Sequence, residues 1–592
     1  MPAFSLTEIL ARAADLVWSY PVVGLCLLSA LYFTVRLGFV QLRVLPHALA
    51  LLTGRYDDPD ETGAISHLQA LAAALSGTIG IGNIAGVAIA ISVGGPGAVL
   101  WMWVAGLLGM ATKFVECTLG TTYRKVEPDG SVRGGPMYYI VAGLGPRWRP
   151  VAWFYAMTIA LAGLGFTCMF QSNQAANALS TSFAVPTWVT GLVLAVLTAA
   201  VILGGIEAIG RWAARIVPLV CLTYVLGALG IALWHYELLP QVLVLIVRDG
   251  LSGEAAAGGT LGAVITWGIR RAVFSNEAGL GSAAIAHAAV KTDEPVREGV
   301  VASLGPLIDT IIVSGATAVV IVLAGNYGDA RLQPLAGVEP VVQVEGAWTS
   351  TLARSEPVAG RPVLRHEGGG AEGIVRVTLP PATEEQFGVR FAYRGGDRRA
   401  GVRILGGMAG PEPLAAVELT ESSACPPSPT WRLCAIELAS PAKQALAEGG
   451  VLELRAGDEP LETTTPVPVR ELTGISLTSA SFDHFVRGFG TIFITIAGFF
   501  FALSTMITWS YYGETASEWL LGRRAILPYR IVFIGTVFLG AIYRLGLVIS
   551  LSDLLVGLLV VPNVVAIVAL SPRVVRDTRD YLRRLKAGQF DR

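Results

Sequence analysis

The sequence predicts an all-α membrane protein of eleven spans, with a small β-rich domain inserted between the eighth and the ninth. Three observations carry that reading. Of 592 residues, 53% are hydrophobic and only 15% charged, with a mean hydropathy of +0.59, whereas soluble domains carry about 25% charged residues. Lys and Arg fall in short clusters between long apolar runs, in alternate loops. One stretch, 329–473, departs from the membrane pattern and is rich in Gly, Pro and charge. The net charge of −1 offers no basic stripe for nucleic acid.

A helix crossing roughly 30 Å of hydrocarbon needs about 20 mostly apolar residues. Candidates lie at 17–35, 66–92, 98–121, 151–170, 186–204, 213–234, 257–289, 299–324, 486–512, 528–543 and 545–571. The first run follows acidic Glu8 and Asp15 and precedes no small-residue cleavage site, so it reads as a span and not a signal peptide. Basic loops mark the cytoplasmic side: Arg36, Arg43 and Arg55; Arg124 to Arg149; Arg211 and Arg215; Lys291 and Arg297; Arg523, Arg524 and Arg530; and the tail from Arg573. The amino terminus is therefore expected outside and the carboxyl terminus inside the cell's inner membrane.

The chain then divides into 1–328 (spans one to eight), 329–473 (the insertion) and 474–592 (spans nine to eleven and a basic tail). In the insertion, alternating stretches at 388–393, 402–405, 416–419 and 451–455 read as half-buried strands, which predicts a β-sandwich-like extracytoplasmic domain. Its Cys425 and Cys434 are either a disulfide or two reduced thiols. Cys26, Cys117, Cys168 and Cys221 lie in spans and read as small apolar residues.

Spans two and seven share an anomaly. Leu75-Ser-Gly-Thr-Ile-Gly-Ile-Gly-Asn-Ile84 and Phe274-Ser-Asn-Glu-Ala-Gly-Leu-Gly-Ser282 place glycines and polar groups near mid-bilayer. Unwound backbone is tolerated there only when buried in protein or lining a wet cavity. Five spans separate the breaks, so spans 2–6 and 7–11 run in opposite senses and can form an inverted repeat, the sequence pointer to a secondary-transporter site. An unwound helix offers N–H groups to a carboxylate and C=O groups to a cation. Close helix packing is the alternative use of such glycines, as Gly94, Gly95, Gly106 and Gly109 illustrate.

Gly77-Thr-Ile-Gly-Ile-Gly-Asn-Ile-Ala-Gly-Val-Ala88, Gly94-Gly-Pro-Gly-Ala-Val-Leu-Trp-Met-Trp103, Gly134-Gly-Pro-Met-Tyr-Tyr139, Phe274-Ser-Asn-Glu-Ala-Gly279 and Trp509-Ser-Tyr-Tyr-Gly-Glu514 resemble the signature segments of the alanine/glycine:cation symporter family. The likeness covers nearly all of the membrane portion. It implies the amino acid–polyamine–organocation superfamily and a leucine-transporter-like fold of five plus five helices, here with one extra amino-terminal span. Leu100, Gly106 and Ala272 depart from the family's usual residues, and 329–473 lies outside its pattern.

The resemblance implies roles residue by residue. Main-chain N–H groups at Ile81 and Gly82 would hold a substrate carboxylate, with Thr78 nearby. Asn83 and the carbonyls of Ser76, Thr78 and Ile79 would face sodium, with Ser504 and Thr505 of span nine. Phe274, Ser275 and Asn276 would receive the ammonium, Gln171 and Asn173 would touch the substrate, and Trp509 would wall the pocket. Thr505 has the alternative of bonding its own i−4 carbonyl. Asp309, well inside span eight, is either a cation or proton site or a structural partner of Ser275 or Asn276, since an ionisable residue at that depth is costly. Glu277 is expected to pair with Arg270 or Arg271, and Lys113 with Glu116. His67 and His287 lack partners at metal-ligand spacing.

The expected function is sodium-coupled symport of alanine or glycine by alternating access. The partners are the amino acid, sodium and the bilayer, with no cofactor beyond the coupling ion. Proton coupling through Asp309, and a sensor using the inserted domain, remain as alternatives. No nucleophile with a base, metal motif or phosphate loop suggests an enzyme.

Overall fold

The computed structural model describes residues 6–590 except 19, 59, 129–130, 253–260, 473 and 544, and between 328 and 471 only the strands. The chain forms two compact units, one of residues 1–327 with 473–592, the other of 328–472. The first is helical. Its main helices are α1 (Leu6–Val17), α2 (Tyr20–Arg36), α3 (His67–Thr78), α4 (Ala85–Gly94), α5 (Ala98–Thr122), α6 (Arg149–Leu161), α7 (Thr167–Phe183), α8 (Thr187–Ile202), α9 (Gly205–Trp234), α10 (Leu239–Ser252), α11 (Leu261–Asn276), α12 (Ala283–His287), α13 (Pro295–Ala302), α14 (Gly315–Leu323), α15 (Gly474–Phe485), α16 (Phe489–Leu521), α17 (Ile526–Ile542) and α18 (Leu545–Lys586).

Among the described residues, 8 helices are long and apolar enough to cross a membrane, or 9 when the pair on either side of residues 79–80 counts as one broken span. Of the eleven runs expected, the fifth coincides with the shorter apolar helix α8, and the seventh is divided between α11 and α12. Sequence periodicity missed α10 and α15, which pack beside the spans.

The second unit contains a five-stranded and a seven-stranded sheet, with every described pairing antiparallel. The stretches read as strands fall on Gln386–Gly395, Gly401–Gly406, Ala415–Glu418 and Gly450–Arg455, apart from Leu419, which lies outside the described residues. The alternating pattern thus reports strands correctly, as expected where one face of each is apolar. Cys425 lies outside the described residues, and with it the disulfide question.

The start of α3 and the end of α12 are joined. α3 starts at a capping box, in which the Gln69 N–H donates to Ser66 Oγ at 3.3 Å and the Ser66 N–H to Gln69 Oε1 at 3.0 Å. Just before it, Ile65 forms a parallel bridge with Val290, just past α12. The Arg124 guanidinium gathers the carbonyls of Thr62, Ala288, Val290 and Thr292 at 2.5–3.2 Å. Glu298 on α13 accepts from His67 at 2.5 Å and also bonds His287. The two histidines that lacked metal partners in the sequence therefore share one buried carboxylate, and a single residue ties the ends of both broken helices.

Close approach lets α13 seat against α5: a Cβ on Gly299 would lie 2.7 Å from the Phe114 carbonyl oxygen. Gly305, by contrast, has nothing within 4 Å of a Cβ position. Overpacking costs about 1–3 kcal/mol, so Gly299→Ala is expected to lower the melting temperature in detergent and Gly305→Ala to leave it unchanged. Equal melting temperatures would show that the α5–α13 contact yields.

Candidate functional site

The first break follows from what glycine allows the backbone to approach. α3 stops at Thr78, and Ile79 (φ −76°, ψ 101°) and Gly80 (φ −141°, ψ −161°) are extended. A single tight turn, Ile81–Asn83, precedes α4, and the two halves bend by 64°. Neither Gly80 nor Gly82 has a positive φ, so left-handed backbone is not what glycine supplies here. Space is. A Cβ on Gly80 would meet Thr505 Oγ1 at 2.5 Å and Gln171 Nε2 at 3.1 Å, whereas one on Gly82 would meet only Phe274 Cδ1, at 3.9 Å. Gly82 and Phe274 are both part-exposed amid buried neighbours.

The main-chain donors of this break are unequal. The Gly80 N–H donates to Asn83 Oδ1 at 2.9 Å and the Ile81 N–H to Gln171 Oε1 at 3.0 Å. The Gln171 amide oxygen thus occupies the place at Ile81 where a carboxylate oxygen was expected. Among the described residues no acceptor meets the Gly82 N–H. One donor is free, and a second is held by a side chain and not by the main chain.

Two clusters of oxygen atoms flank the break. In the first, Ser504 Oγ and Thr505 Oγ1 lie 3.4 and 3.3 Å from the Ile79 carbonyl oxygen and also 2.9 and 3.0 Å from Phe501 O. Thr505 thus makes the i−4 carbonyl bond of the packing alternative and also reaches the Ile79 carbonyl at the break. Ser76 Oγ donates to Ser504 O at 2.8 Å, and Thr78 Oγ1 to Leu75 O at 3.3 Å. In the second cluster, Asn83 Nδ2 faces Asp309 Oδ1 (2.7 Å), Ser275 Oγ (3.0 Å), Ser314 Oγ (3.1 Å) and Asp309 O (3.2 Å). An amide nitrogen has two protons and cannot serve four acceptors. The excess of hard oxygen atoms around one point, with one carboxylate among them, is the donor set a small cation favours. Asp309 Oδ2 accepts from Ser275 Oγ at 2.8 Å and Thr310 Oγ1 at 2.7 Å.

The second break is closed by the protein itself. Glu277 (φ 57°), Gly279 (φ 98°) and Gly281 (φ 81°) adopt left-handed or related backbone, at little steric cost for the glycines. Glu116 Oε1 accepts from the Gly279 N–H at 2.9 Å, Asn563 Nδ2 donates to Gly279 O at 2.8 Å, and Tyr155 OH to Leu280 O at 2.7 Å.

Several expected side chains go elsewhere. Asn173 Nδ2 donates to Gly540 O and Tyr543 O, at 3.1 and 2.8 Å, so its amide braces α7 against α17. Asn276 Nδ2 donates to Thr310 Oγ1 at 2.9 Å and its Oδ1 accepts from the Ala278 N–H at 2.9 Å, which caps α11. The Trp509 indole donates to Glu277 Oε1 at 3.0 Å, placing it beside the second break. Glu277 bonds Ser282 and Trp509 and neither arginine; Arg270 pairs with Asp15 and Asp553 at 3.1 and 2.7 Å. Among the described residues Lys113 Nζ is buried without a hydrogen bond, because Glu116 is turned to the second break. Ser314 and Thr310 were not singled out in the sequence. Residues 307–314 form a π-helix, which brings Asp309 and Ser314 onto one face, where ordinary α-helical spacing would separate them.

The sequence profile of the Sodium:alanine symporter family matches residues 3–354 and 461–592. The chain is similar to the sodium/alanine symporter AgcS of Methanococcus maripaludis, 33% identical over 95% of each chain. It resembles the putative sodium/proton-dependent alanine carrier protein YrbD of Bacillus subtilis, 29% identical over 98% of this chain and 94% of that one. It is also similar to the probable sodium/glutamine symporter GlnT of Bacillus subtilis, 36% identical over 58% of this chain and 72% of that one.

The two glycines of the first break make a paired test. Gly80→Ala is expected to lower the detergent melting temperature by several degrees, since its Cβ meets Thr505 and Gln171, with a strain of about 1–3 kcal/mol. Gly82→Ala is expected to leave it unchanged. Indistinguishable melting temperatures would mean that the turn relaxes around either side chain.

Proposed function

We propose, from the premise that this chain belongs to the sodium:alanine symporter family, that it carries alanine or glycine across the membrane together with sodium. Membership makes it a multi-pass membrane protein and a sodium-coupled amino acid symporter, not an enzyme. The observation that carries the finer reading is the free Gly82 N–H beside Phe274, between two oxygen clusters.

In this reading the substrate carboxylate bonds the Gly82 N–H and displaces Gln171 from Ile81. Sodium ions occupy the neutral cluster of Ile79, Ser504 and Thr505 and the charged cluster of Asn83, Ser275, Asp309 and Ser314. The ammonium lies near Phe274 and Ser275. Spans 2–6 and 7–11 act as a five-plus-five inverted repeat preceded by one further span, with the amino terminus and the 329–473 insertion outside and the carboxyl terminus inside. Access alternates as the broken helices rock about the breaks. Sodium is favoured over a proton because the ligands are mostly neutral oxygens and Asp309 already has three donors, from Asn83, Ser275 and Thr310.

Uptake of radiolabelled alanine into proteoliposomes is the direct test: an inward sodium gradient should drive accumulation, and a proton gradient alone should not. Leucine and phenylalanine should fail to compete at concentrations where glycine does, since Phe274 closes the space beside Gly82. Competition by leucine at equal concentration would remove this pocket.

Side-chain changes separate the two kinds of site. Gly82→Ala should fold normally and lose alanine binding in direct ligand-binding measurements, because its methyl group takes the ligand's place. Thr505→Ala and Ser275→Ala should each raise the half-saturating sodium concentration several-fold, as expected for loss of a ligand contact of about 1 kcal/mol. An unchanged sodium dependence would return the hydroxyl concerned to a helix-packing role.

A further inference from the structure

We infer that Arg271 forms a second carboxylate-binding subsite, one helical turn from the break, which takes the amino acid before it reaches Gly82. This rests on the reading of Gly82 as the substrate carboxylate site.

The two neighbouring arginines of α11 differ. Arg270 is fully engaged, with Asp15 at 3.1 Å, Asp553 at 2.7 Å and the Trp18 and Trp267 rings 5.8 and 5.1 Å from its guanidinium carbon. Among the described residues Arg271 makes no hydrogen bond or close ion pair, and its Nε is buried without an acceptor; the nearby carboxylate of Asp553 acts on its charge from a distance but is bonded to Arg270. Its guanidinium carbon is held between the rings of Trp267 and Phe274, at 5.6 and 5.8 Å. The charge is thus fixed in position by aromatic faces while its hydrogen-bonding edge is left unused. A cation inside a span whose hydrogen-bonding edge meets no anion directly is costly, which points to an anionic occupant.

Position identifies the occupant. Gly86 leaves the room: a Cβ there would lie 3.7 Å from Arg271 Cδ and 4.0 Å from Nη1. Gly86 is four residues from Gly82, a rise of about 6 Å along a helix, and Phe274 is the neighbour common to Arg271 and Gly82. Arg271, like Gly82 and Phe274, is part-exposed. The guanidinium lies one turn from the Gly82 N–H, on the side towards which α4 leads, extracytoplasmic in the proposed orientation. A planar guanidinium accepts a carboxylate in a fork of two hydrogen bonds. An amino acid would first lodge its carboxylate on Arg271, then pass it one turn down to the main-chain donor at Gly82.

Propionate and propionamide distinguish this subsite, as they share the substrate's size and lack its ammonium group. In proteoliposomes, propionate should inhibit alanine uptake by the unmodified protein and propionamide should not. Arg271→Gln should raise the KM for alanine several-fold and abolish propionate inhibition, and Arg271→Lys, which keeps charge but loses the fork, should weaken that inhibition. If Arg271→Gln does not reach the membrane, Arg271→Lys decides alone. Absence of propionate inhibition in the unmodified protein, equal inhibition by propionamide, or undiminished inhibition in the variants would each overturn the subsite. Loss of the central reading looks different: Gly82→Ala would then still bind alanine, whatever the Arg271 variants do.

Discussion

A peptide group inside a bilayer has no water to bond, and the arrangement of this protein depends on how it meets that demand at two places where helices come apart. Each unsatisfied group costs several kcal/mol, so an unwound stretch survives only if other groups reach it. At the second break they come from distant parts of the chain: Glu116 from α5, Tyr155 from α6 and Asn563 from α18. At the first, Asn83 and Gln171 satisfy two donors and the Gly82 N–H is left over. The breaks resemble each other in sequence but not in state. One is a sealed joint; the other, among the described residues, keeps a main-chain donor unused.

The same contrast appears along the bundle. At one end the broken helices are joined by the Ile65–Val290 bridge, the carbonyls gathered by Arg124 and the carboxylate shared by His67 and His287. Towards the other end, α15 lies over the first broken helix, with Thr478 Oγ1 donating to Ile84 O at 3.0 Å, while Gly82, Arg271 and Phe274 remain part-exposed. Parting of the joined end would require the Glu298 and Arg124 contacts to give way together, because both hold the same two helix ends.

Much of this was legible because glycine, asparagine and aspartate inside an apolar span have few uses. Both breaks, Asn83, Asp309 and the hydroxyls of span nine stand out by composition, and the strands of the insertion by alternation. What sequence spacing could not reveal was pairing across long separations, such as Glu116 with Gly279, or Asn563 with both. Side chains with two destinations were equally hidden: Asn173 turned to α17 and Trp509 to Glu277 because those partners, hundreds of residues away, leave buried polar groups that need bonds. Ser314 was concealed by geometry, since only a π-helical turn places it beside Asp309.

The two oxygen clusters differ in a way that bears on coupling. The one around Ile79 consists of neutral groups, whose mutual contacts at 3.3 and 3.4 Å are long for hydrogen bonds; a cation there would gain ligands at little expense to existing bonds. The one around Asn83 contains a carboxylate already served by three donors, and Asn83 itself donates where a cation would sit. Filling it requires the amide to move, and the Asn83 Oδ1 bond to the Gly80 N–H moves with it. That bond fixes the turn presenting the Gly82 N–H. In the proposed reading, occupancy of the charged cluster and presentation of the substrate donor are therefore linked through a single side chain, which would give ion and amino acid a reason to depend on each other without any contact between them.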